Sequence, residues 1–392
     1  MPITHRVAAD DFVAQDPAHF LMSVRDRPDA LVYFLCNVGD GDTQVLLLPA
    51  DRASGRRQAM VVDVFQFRKV AAILDWAIGH GLMSPDADVE RDIALVVATH
   101  PHQDHIAGMP RLLEEYGDRI DEFWDPGYFH TIGAYHDMMR NLAANGSIGY
   151  AHPASGLRRW FGDVAVTVLS PSIALRNRFD TYGVDINDAS ISLQIDFPLA
   201  QVVQRDDEGN RVESKKKHNV LLLGADAQTL SWAQVIGDFP RLHRSDSAAA
   251  KAIGAAAGTR DPLRAGLHKV PHHGSKHGVN LELAERIHGA LTLVSSVRAG
   301  GNHGFPHEIA QQILREAANP QAKKLGAHDP ANDPGHGLYY TGDEDSDGKP
   351  LGSIAVVMRA GKLEMWRFGD RPSEALDLDT AQPRRLNKIF AT

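Results

Sequence analysis

Short apolar runs alternate with helical and turn-forming segments along most of the chain. Apolar runs at 31–37, 44–48 and 59–64 predict three strands in succession, separated by turn-forming Gly, Asp and Pro residues. Residues 67–81 then carry apolar side chains at helical spacing, and the run 93–98 predicts a buried strand. This alternation of strands and helices predicts an α/β fold.

The second half of the chain continues the mixture, and several of its predicted strands end in polar residues. Residues 191–195 alternate apolar and polar side chains, which is typical of a half-buried strand, whereas 219–223 is a continuous apolar run. Further strands are predicted at 120–124, 164–169, 265–270, 291–296, 337–341, 354–359 and 362–368.

The pattern divides the chain into one large domain with two flanking segments. Residues 1–28 are interpreted as an N-terminal leader that contains a short helix, and 370–392 as a loosely attached C-terminal tail. The domain itself is predicted to span 29–369. Within it, the Ala- and Ser-rich stretch 241–263 is interpreted as a possible insertion.

Composition limits the classes of protein that remain. A chain of 392 residues with 43% hydrophobic residues is long enough for a large core. Cys36 is the single cysteine, so an intrachain disulfide is excluded and any metal site must use nitrogen and oxygen ligands. The formal net charge of −9 argues against a broadly basic nucleic-acid surface, although not against a local basic groove.

The chain has no segment that predicts membrane insertion. Its first residues lack the apolar core of a signal peptide, and no apolar run approaches the roughly 18 to 20 residues that a spanning helix needs. We therefore expect a cytoplasmic protein with no membrane partner, which could form a homo-oligomer.

Four side chains of metal-ligand type follow the predicted strand 93–98 within six positions: His100, His102, Asp104 and His105. In an extended segment alternate side chains share a face, so His100 and His102 can converge on one ion. Asp104 and His105 begin the next predicted helix, where the chain turns, so their side chains point in another direction than those of His100 and His102. A solvated polar loop is the alternative interpretation, but this spacing after a strand favours two nearby metal sites.

The His-x-His-x-Asp-His pattern of residues 100–105 resembles the signature of the metallo-β-lactamase superfamily. The resemblance implies a four-layer αββα sandwich with insertions, and one or two metal ions at the edge of its sheets. It also implies hydrolysis by a metal-bound hydroxide. Among members of the superfamily, the chain is most similar to the nuclease-like domain of the membrane protein used for DNA uptake in competence. That similarity is carried by the motifs at 187–190, 224–226, 269–275 and 302–307.

The resemblance extends the candidate metal ligands beyond the histidine loop. Asp226 ends a buried strand, where a dication would offset its desolvation, and is expected to bridge two ions. One of His272 and His273 is expected to complete the second site with Asp104 and His105. We assign His273 as the ligand and His272 to catalysis, although the sequence leaves the choice open.

Two further aspartates have alternative interpretations. Asp188 is a candidate oxygen ligand, and a turn-forming or capping role is equally compatible with its position after Asn187. Asp63 ends the predicted strand 59–64 and is expected to hold the histidine loop in place without binding the metal itself. A simple turn position is the alternative for Asp63.

The remaining assignments concern substrate and catalysis. Asp104 is assigned a catalytic role beside its metal-binding one. His303 or His307 is expected to replace a histidine of the competence-like motif, because Phe305 stands at that position. Lys269, Ser275 and Asn302 are expected to contact substrate.

These residues predict a metal-dependent hydrolase with two divalent ions. Zinc suits the imidazole-rich ligands, and manganese remains an alternative because of the carboxylates. The competence-like resemblance implies a phosphodiesterase or nuclease that acts on nucleic acid or another phosphodiester. The alternatives are hydrolysis of a lactone, thioester or β-lactam, and a metal-stabilised binding protein with little catalysis.

Overall fold

Two β-sheets lie face to face at the centre of the structure, a computed structural model that describes residues 12–86, 91–176, 185–240, 262–296, 304–318, 337–359, 361–387 and 389–391. In chain order the strands are β1 (Phe12–Ala14), β2 (Leu31–Leu35), β3 (Thr43–Leu47), β4 (Ala59–Val64), β5 (Ile93–Val97), β6 (Ile120–Trp124), β7 (Gly149–Ala151), β8 (Arg158–Phe161), β9 (Val164–Ser170), β10 (Ser192–Arg205), β11 (Arg211–Leu223), β12 (Leu267–Lys269), β13 (Leu291–Val294), β14 (Leu338–Tyr340), β15 (Ile354–Arg359), β16 (Lys362–Arg367), β17 (Arg384–Leu386) and β18 (Phe390–Ala391).

Helices connect the strands and cover the outer faces of both sheets. They are α1 (Pro17–Arg25), α2 (Phe67–Gly79), α3 (Gln103–Ile106), α4 (Met109–Tyr116), α5 (Gly133–Ala144), α6 (Ile173–Arg176), α7 (Thr229–Asp238), α8 (Leu281–Ile287) and α9 (Glu308–Ala318), with short 3-10 turns at Gly117–Arg119 and Pro271–Gly274.

The strand order brings the carboxyl ends of several strands to one edge. The first sheet runs β1-β17-β16-β15-β2-β3-β4-β5-β6-β7, with β18 beside β16, and the second runs β14-β13-β12-β11-β10-β9-β8. Strands β4 to β7 are mutually parallel, and so are β11 to β14. Parallel strands end at the same edge, so the loops after β4, β5, β6 and β7 are neighbours.

Alternation of side chains along each strand produces the layers. In β2, Val32 and Phe34 pack with the helices on the outer face, whereas Leu31, Tyr33 and Leu35 pack between the sheets. Residues of the second sheet, among them Leu193 and Leu221, lie in the same inter-sheet core. Helices α7 and α8 cover the other face of the second sheet. The predicted four-layer αββα sandwich is therefore confirmed.

The described parts of both terminal segments belong to the first sheet, contrary to the expectation of a separate leader and a loosely attached tail. Strand β1 pairs with β17, and β17 pairs with β16. Phe20 of α1 is fully buried, and its ring packs on those of Trp76 and Phe368. Burial of this aromatic group ties the leader to the core, so the domain extends on both sides of 29–369.

Two further points concern the predicted organisation. Residues 241–261 of the possible insertion lie outside the described residues. Across the described part of the chain, none of the helices combines the length and the hydropathy that a membrane-spanning segment requires.

Candidate metal centre

The histidine loop leaves β5 in an extended conformation and turns at once into α3. His102 is the extended residue before that helix, and Asp104 lies in its first turn. Both the backbone N–H and the hydroxyl of Thr99 donate to the carboxylate of Asp63, over 2.8 and 2.7 Å. These two hydrogen bonds fix the loop to the end of β4.

A first group of candidate ligands combines His100, His102 and Asp226. The Nε2 atom of His100 lies 3.1 Å from Nδ1 of His102 and 3.7 Å from Oδ2 of Asp226. His100 and Asp226 are buried and His102 is half-buried, so these donor atoms converge at the sheet edge.

A second group combines Asp104, His105 and His273. Oδ2 of Asp104 lies 3.8 Å from Nε2 of His105 and 3.7 Å from Nε2 of His273. The other oxygen of Asp226, Oδ1, lies 3.4 Å from His105 Nε2 and 3.8 Å from His273 Nε2. The two carboxylate oxygens of Asp226 therefore face different groups, which is the geometry of a bridging ligand.

The residues present fit a pair of divalent ions. Three potential ligand atoms in or beside the second group are buried without a hydrogen-bond partner: Nε2 of His105, Nε2 of His273 and the neighbouring Oδ1 of Asp226. An unsatisfied buried polar atom costs about 1–3 kcal/mol, and three facing one another are exceptional unless an ion satisfies them. Imidazole nitrogens and carboxylate oxygens are ordinary ligands of zinc.

Hydrogen bonds behind the second group orient its histidines. His105 Nδ1 lies 2.8 Å from Oδ2 of Asp63, and His273 Nδ1 lies 2.8 Å from the carbonyl oxygen of Ser295. Both partners are acceptors, so each Nδ1 donates and each Nε2 carries its lone pair toward the group. This arrangement fixes the tautomer that a metal ligand needs.

Electrostatics within the cluster are strongly coupled. Burial lowers the pKa of His105, but Asp226 and Asp63 outweigh burial and raise that pKa well above its ordinary value. Burial raises the pKa of Asp226, yet His105, His273 and His272 together hold it well below the ordinary range. Burial and the neighbouring His105 lower the pKa of His100. Without an ion, the site therefore keeps Asp226 ionised and His100 neutral, whereas the raised pKa of His105 means that a bound ion would displace a proton from this ring.

The segment that carries Asp226 and the segment that carries His272 and His273 both contain strained backbone conformations. Ala225, His272 and His273 all have positive φ angles, of 46°, 47° and 51°. A Cβ atom on Gly224 would lie 2.8 Å from Cβ of Pro271, so only glycine fits between the two segments. The left-handed conformation is energetically unfavourable for residues other than glycine. Here it occurs in the segments that orient the candidate ligands.

The structure separates His272 from His273. His273 is buried and faces Asp104, whereas Nε2 of His272 lies 3.6 Å from Oδ2 of Asp226, on the side of the first group. The His272 side chain keeps 16% of its surface exposed and packs its ring against Phe305. This placement suits the assignment of His273 to the second metal site and leaves His272 beside the first.

Two predicted substrate contacts are buried in the structure, which corrects those assignments. Nζ of Lys269 is fully buried in an ion pair with Asp42, so it cannot reach a phosphate from solvent. Ser275 is also buried, and its hydroxyl accepts a hydrogen bond from the N–H of His277. Strand β12 is buried along its whole length, so Lys269 lies inside the fold, where Asp42 compensates its charge.

The structure does not bring Asp188 into either ligand group among the described residues. Oδ1 of Asp188 accepts hydrogen bonds from the N–H and the hydroxyl of Ser231, over 3.0 and 3.1 Å. Ser231 lies in the first turn of α7, so Asp188 satisfies one N–H group at the start of this helix. The expectation of Asp188 as a metal ligand is corrected to the capping alternative.

The histidines near residue 305 contribute less than expected. His307 is half-buried, and its Nδ1 accepts a hydrogen bond from the N–H of Ile309 at the start of α9. It belongs to neither ligand group within the described residues. Asn302 and His303 lie outside the described residues, so their assignments stay predictions.

Sequence reasoning missed two contributors at this edge. Asp42 is fully buried, pairs with Lys269 and lies close to Asp63 and His105. In the sequence, Asp42 lies in a turn-forming Gly-Asp segment between the first two predicted strands, but this pattern does not indicate a function for it. The ring of His130, in the loop after β6, lies 6.1 Å from that of His102, and nothing in its local pattern marked it.

Comparison with known proteins yields a likeness of fold. No protein-family model matches the sequence, and no curated protein matches it. Among solved structures, the chain is similar to the metallo-β-lactamase fold protein YhfI from Bacillus subtilis, with 12% identity, a TM-score of 0.37, and coverage of 73% of this chain and 93% of that one. It is also similar to Igni18, a metallo hydrolase from Ignicoccus hospitalis, with 11% identity, a TM-score of 0.34, and coverage of 73% of this chain and 91% of that one. A third similar structure is the short form of human tRNase Z, with 12% identity, a TM-score of 0.32, and coverage of 68% of this chain and 92% of that one.

The two facing sheets, the helices on their outer faces and the ligand loop after β5 are the features expected of a metallo-β-lactamase sandwich. The identities are too low for an activity or a substrate to be transferred from these structures. None of the three is a competence protein, so that narrower resemblance stays a prediction.

Proposed function

We propose that this protein is a metal-dependent hydrolase of phosphodiesters with two divalent ions. The proposal rests on one observation above the others: the buried, unpartnered donor atoms of His105, His273 and Asp226 face one another at the sheet edge. A single closed structural ion needs four ligands, whereas here two groups share one carboxylate.

Each residue has a distinct role in this proposal. His100 and His102 would hold the first ion and Asp104, His105 and His273 the second, with the two carboxylate oxygens of Asp226 available to both groups. Two divalent ions held there would supply Lewis-acid activation of water for hydrolysis. Asp63 keeps His105 in the required tautomer.

His272 is the candidate for handling the leaving group. Its Nε2 borders the first ligand group, and its side chain reaches the surface. Burial lowers the pKa of His272, with Asp226 opposing this effect, so the ring is mainly neutral at pH 7. In the tautomer that carries its proton on Nε2, a neutral imidazole at this position can donate a hydrogen bond to a leaving oxygen.

The phosphodiester assignment is supported by the motifs at 224–226 and 269–275, which place Asp226 and the two late histidines at one edge. Metal centres of this kind also hydrolyse carbonyl compounds. We therefore treat hydrolysis of a lactone or thioester as the competing activity, and binding without turnover as the third outcome.

The test is a hydrolysis assay of the protein loaded with zinc or with manganese. Substrates are bis(p-nitrophenyl) phosphate, a 5′-labelled single-stranded DNA decamer, its RNA equivalent and a γ-lactone. Asp226→Asn is the inactive variant. Asp121→Asn, an exposed aspartate on β6, is its matched control.

Phosphodiester cleavage by the wild type and by Asp121→Asn, with loss in Asp226→Asn, supports the proposal. Turnover of the lactone alone moves the protein to carbonyl hydrolysis. Failure to hydrolyse any of these substrates while two ions are bound rejects the proposed activity in favour of a binding role.

A further inference from the structure

A histidine–aspartate pair lies farther along the edge that carries the metal ligands. Asp125 follows β6 and His152 follows β7, the next two parallel strands beyond β5. Nδ1 of His152 donates to Oδ1 of Asp125 over 2.6 Å. Asp125 is buried, whereas the His152 side chain is 43% exposed, so its Nε2 is left for a contact outside the pair.

The aspartate is held firmly in this arrangement. Its Oδ1 also accepts the N–H of Gly127 over 2.8 Å, and its Oδ2 accepts the hydroxyl of Tyr150 over 2.9 Å. The side-chain hydrogen bond with Asp125 is the largest effect on His152 and raises the pKa of its imidazole, against burial. The buried carboxylate thus favours the protonated form of the exposed imidazole, although Arg176 lowers the same pKa.

A second cation lies beside this histidine. The guanidinium of Arg176, at the end of α6, donates to the carbonyl oxygen of His152 over 2.8 Å. That acceptor is neutral, and among the described residues Arg176 forms no ion pair with a carboxylate. When His152 is protonated, it and Arg176 supply two positive charges against the one negative charge of Asp125, so this part of the edge can receive an anion although the whole chain is acidic.

Exposed aromatic rings lie in the loop after β6 and on β7. Phe129, in the loop after β6, is 62% exposed, and its ring packs edge-on against Tyr135 and His136 at 5.9 and 5.4 Å. Tyr150 is 44% exposed and packs edge-on against His152 at 4.8 Å. Cations interleaved with exposed aromatic rings are the combination that binds single-stranded nucleic acid.

The spacing along the edge suits a polymer. Neighbouring strands are about 4.8 Å apart, so the two steps from β5 to β7 place His152 about 10 Å from the histidine loop. Phosphates recur about every 3.4 Å along the axis of a stacked strand. His130 occupies the intervening loop, with its ring 6.1 Å from that of His102.

We propose that His152 binds a phosphate about two or three nucleotides from the scissile bond, while Phe129 and Tyr150 stack against bases. This inference rests on the proposed phosphodiesterase function and narrows its substrate class to single-stranded oligonucleotides. Asp125 is the positioning residue that holds the imidazole of His152.

The experiment compares His152→Gln with the wild type on two substrates, the DNA decamer and bis(p-nitrophenyl) phosphate. A charge-assisted hydrogen bond of this kind is worth about tenfold in binding. We expect KM for the decamer to rise about tenfold with kcat retained. The kcat/KM for the decamer, divided by the kcat/KM for bis(p-nitrophenyl) phosphate, should therefore fall about tenfold. His152→Lys restores a cation and should recover part of the loss.

His80→Gln is the matched control. Like His152, His80 pairs with an aspartate: its Nε2 lies 2.6 Å from Oδ1 of the exposed Asp379. His80 follows the C-terminal end of α2, away from the edge that carries the metal ligands. This variant should keep the wild-type KM for the decamer. A purely structural role of His152 would lower thermal stability and affect both substrates alike.

Equal effects of His152→Gln on both substrates, or none on either, overturn the subsite and leave the proposed function standing. If the wild type cleaves no phosphodiester, the proposed function fails, and fluorescence anisotropy of a labelled decamer decides the subsite. Weaker binding by about tenfold in His152→Gln then supports it, and equal affinity rejects it.

Discussion

His105 and Asp63 are joined by a 2.8 Å hydrogen bond between Nδ1 and Oδ2, and both side chains are fully buried. The bond fixes the ring so that Nε2 faces Asp104 and Asp226. A supporting carboxylate of this kind sets both the tautomer and the basicity of the ligand. Metal affinity at the second group should therefore depend on a residue that does not contact the ion.

Asp63→Asn should weaken zinc binding at the second group about 10- to 100-fold while the fold is retained. The amide keeps the shape of the side chain, but it can no longer stabilise the His105 ring as a carboxylate does. Competition with a chromophoric chelator measures the affinity. Asp75→Asn, which removes a carboxylate bonded to Tyr116 away from the site, is the control. Unchanged affinity in Asp63→Asn contradicts the assigned role.

The buried pair of Lys269 and Asp42 is expected to support stability and not substrate binding. Lys269→Met leaves the Asp42 carboxylate buried without its cation, which typically costs about 3–5 kcal/mol in the free energy of unfolding. The double variant Lys269→Met/Asp42→Leu has no isolated buried charge, so its free energy of unfolding should return most of the way to the wild-type value. Urea denaturation in the presence of chelator measures each variant. A loss below about 1 kcal/mol in Lys269→Met counts against a buried, compensated pair.

His268 should make the stability of the protein depend on pH. Burial, with Lys269 adding to it, lowers the pKa of His268 to about 3, and its Nε2 has no hydrogen-bond partner. The unfolded chain binds a proton near pH 6.5 and the folded chain does not, so stability is complete above pH 6.5 and falls as the pH decreases toward 3. At pH 5 the loss is about 2 kcal/mol.

Replacing this histidine tests that dependence. His268→Leu removes the titrating group, so the difference in free energy of unfolding between variant and wild type should grow in favour of the variant from pH 7 to pH 5. Chemical denaturation at both values, with chelator present, gives the difference. An equal pH dependence in the two proteins means that His268 is protonated in the folded state.

Ion binding should stabilise the fold, because it satisfies donor atoms that otherwise remain buried and unpartnered. At a free ion concentration 100-fold above the dissociation constant, each site adds about 2.7 kcal/mol to the free energy of unfolding. Calorimetry before and after removal of the ions by chelation measures this as a fall in Tm that zinc reverses. A Tm that is indifferent to chelator speaks against occupied sites.

Much of the architecture was accessible from the sequence because strand periodicity and turn residues are local signals. The ligands after β5 were also accessible, since their spacing is local. Lys269 was misassigned because its burial depends on Asp42, which is distant in sequence and supplies its counter-charge. The leader was misjudged for a similar reason: Phe20 is buried by residues of α2 and of the final strands.

The central claim is that Asp226 bridges two ions, and the metal content of the purified protein tests it most directly. After equilibration with zinc and removal of the excess, mass spectrometry of the metal should give two ions per wild-type chain. Asp121→Asn should retain two, whereas Asp226→Asn should lose both or hold one weakly. Two firmly bound ions in Asp226→Asn would contradict the bridging geometry and with it the account of this centre.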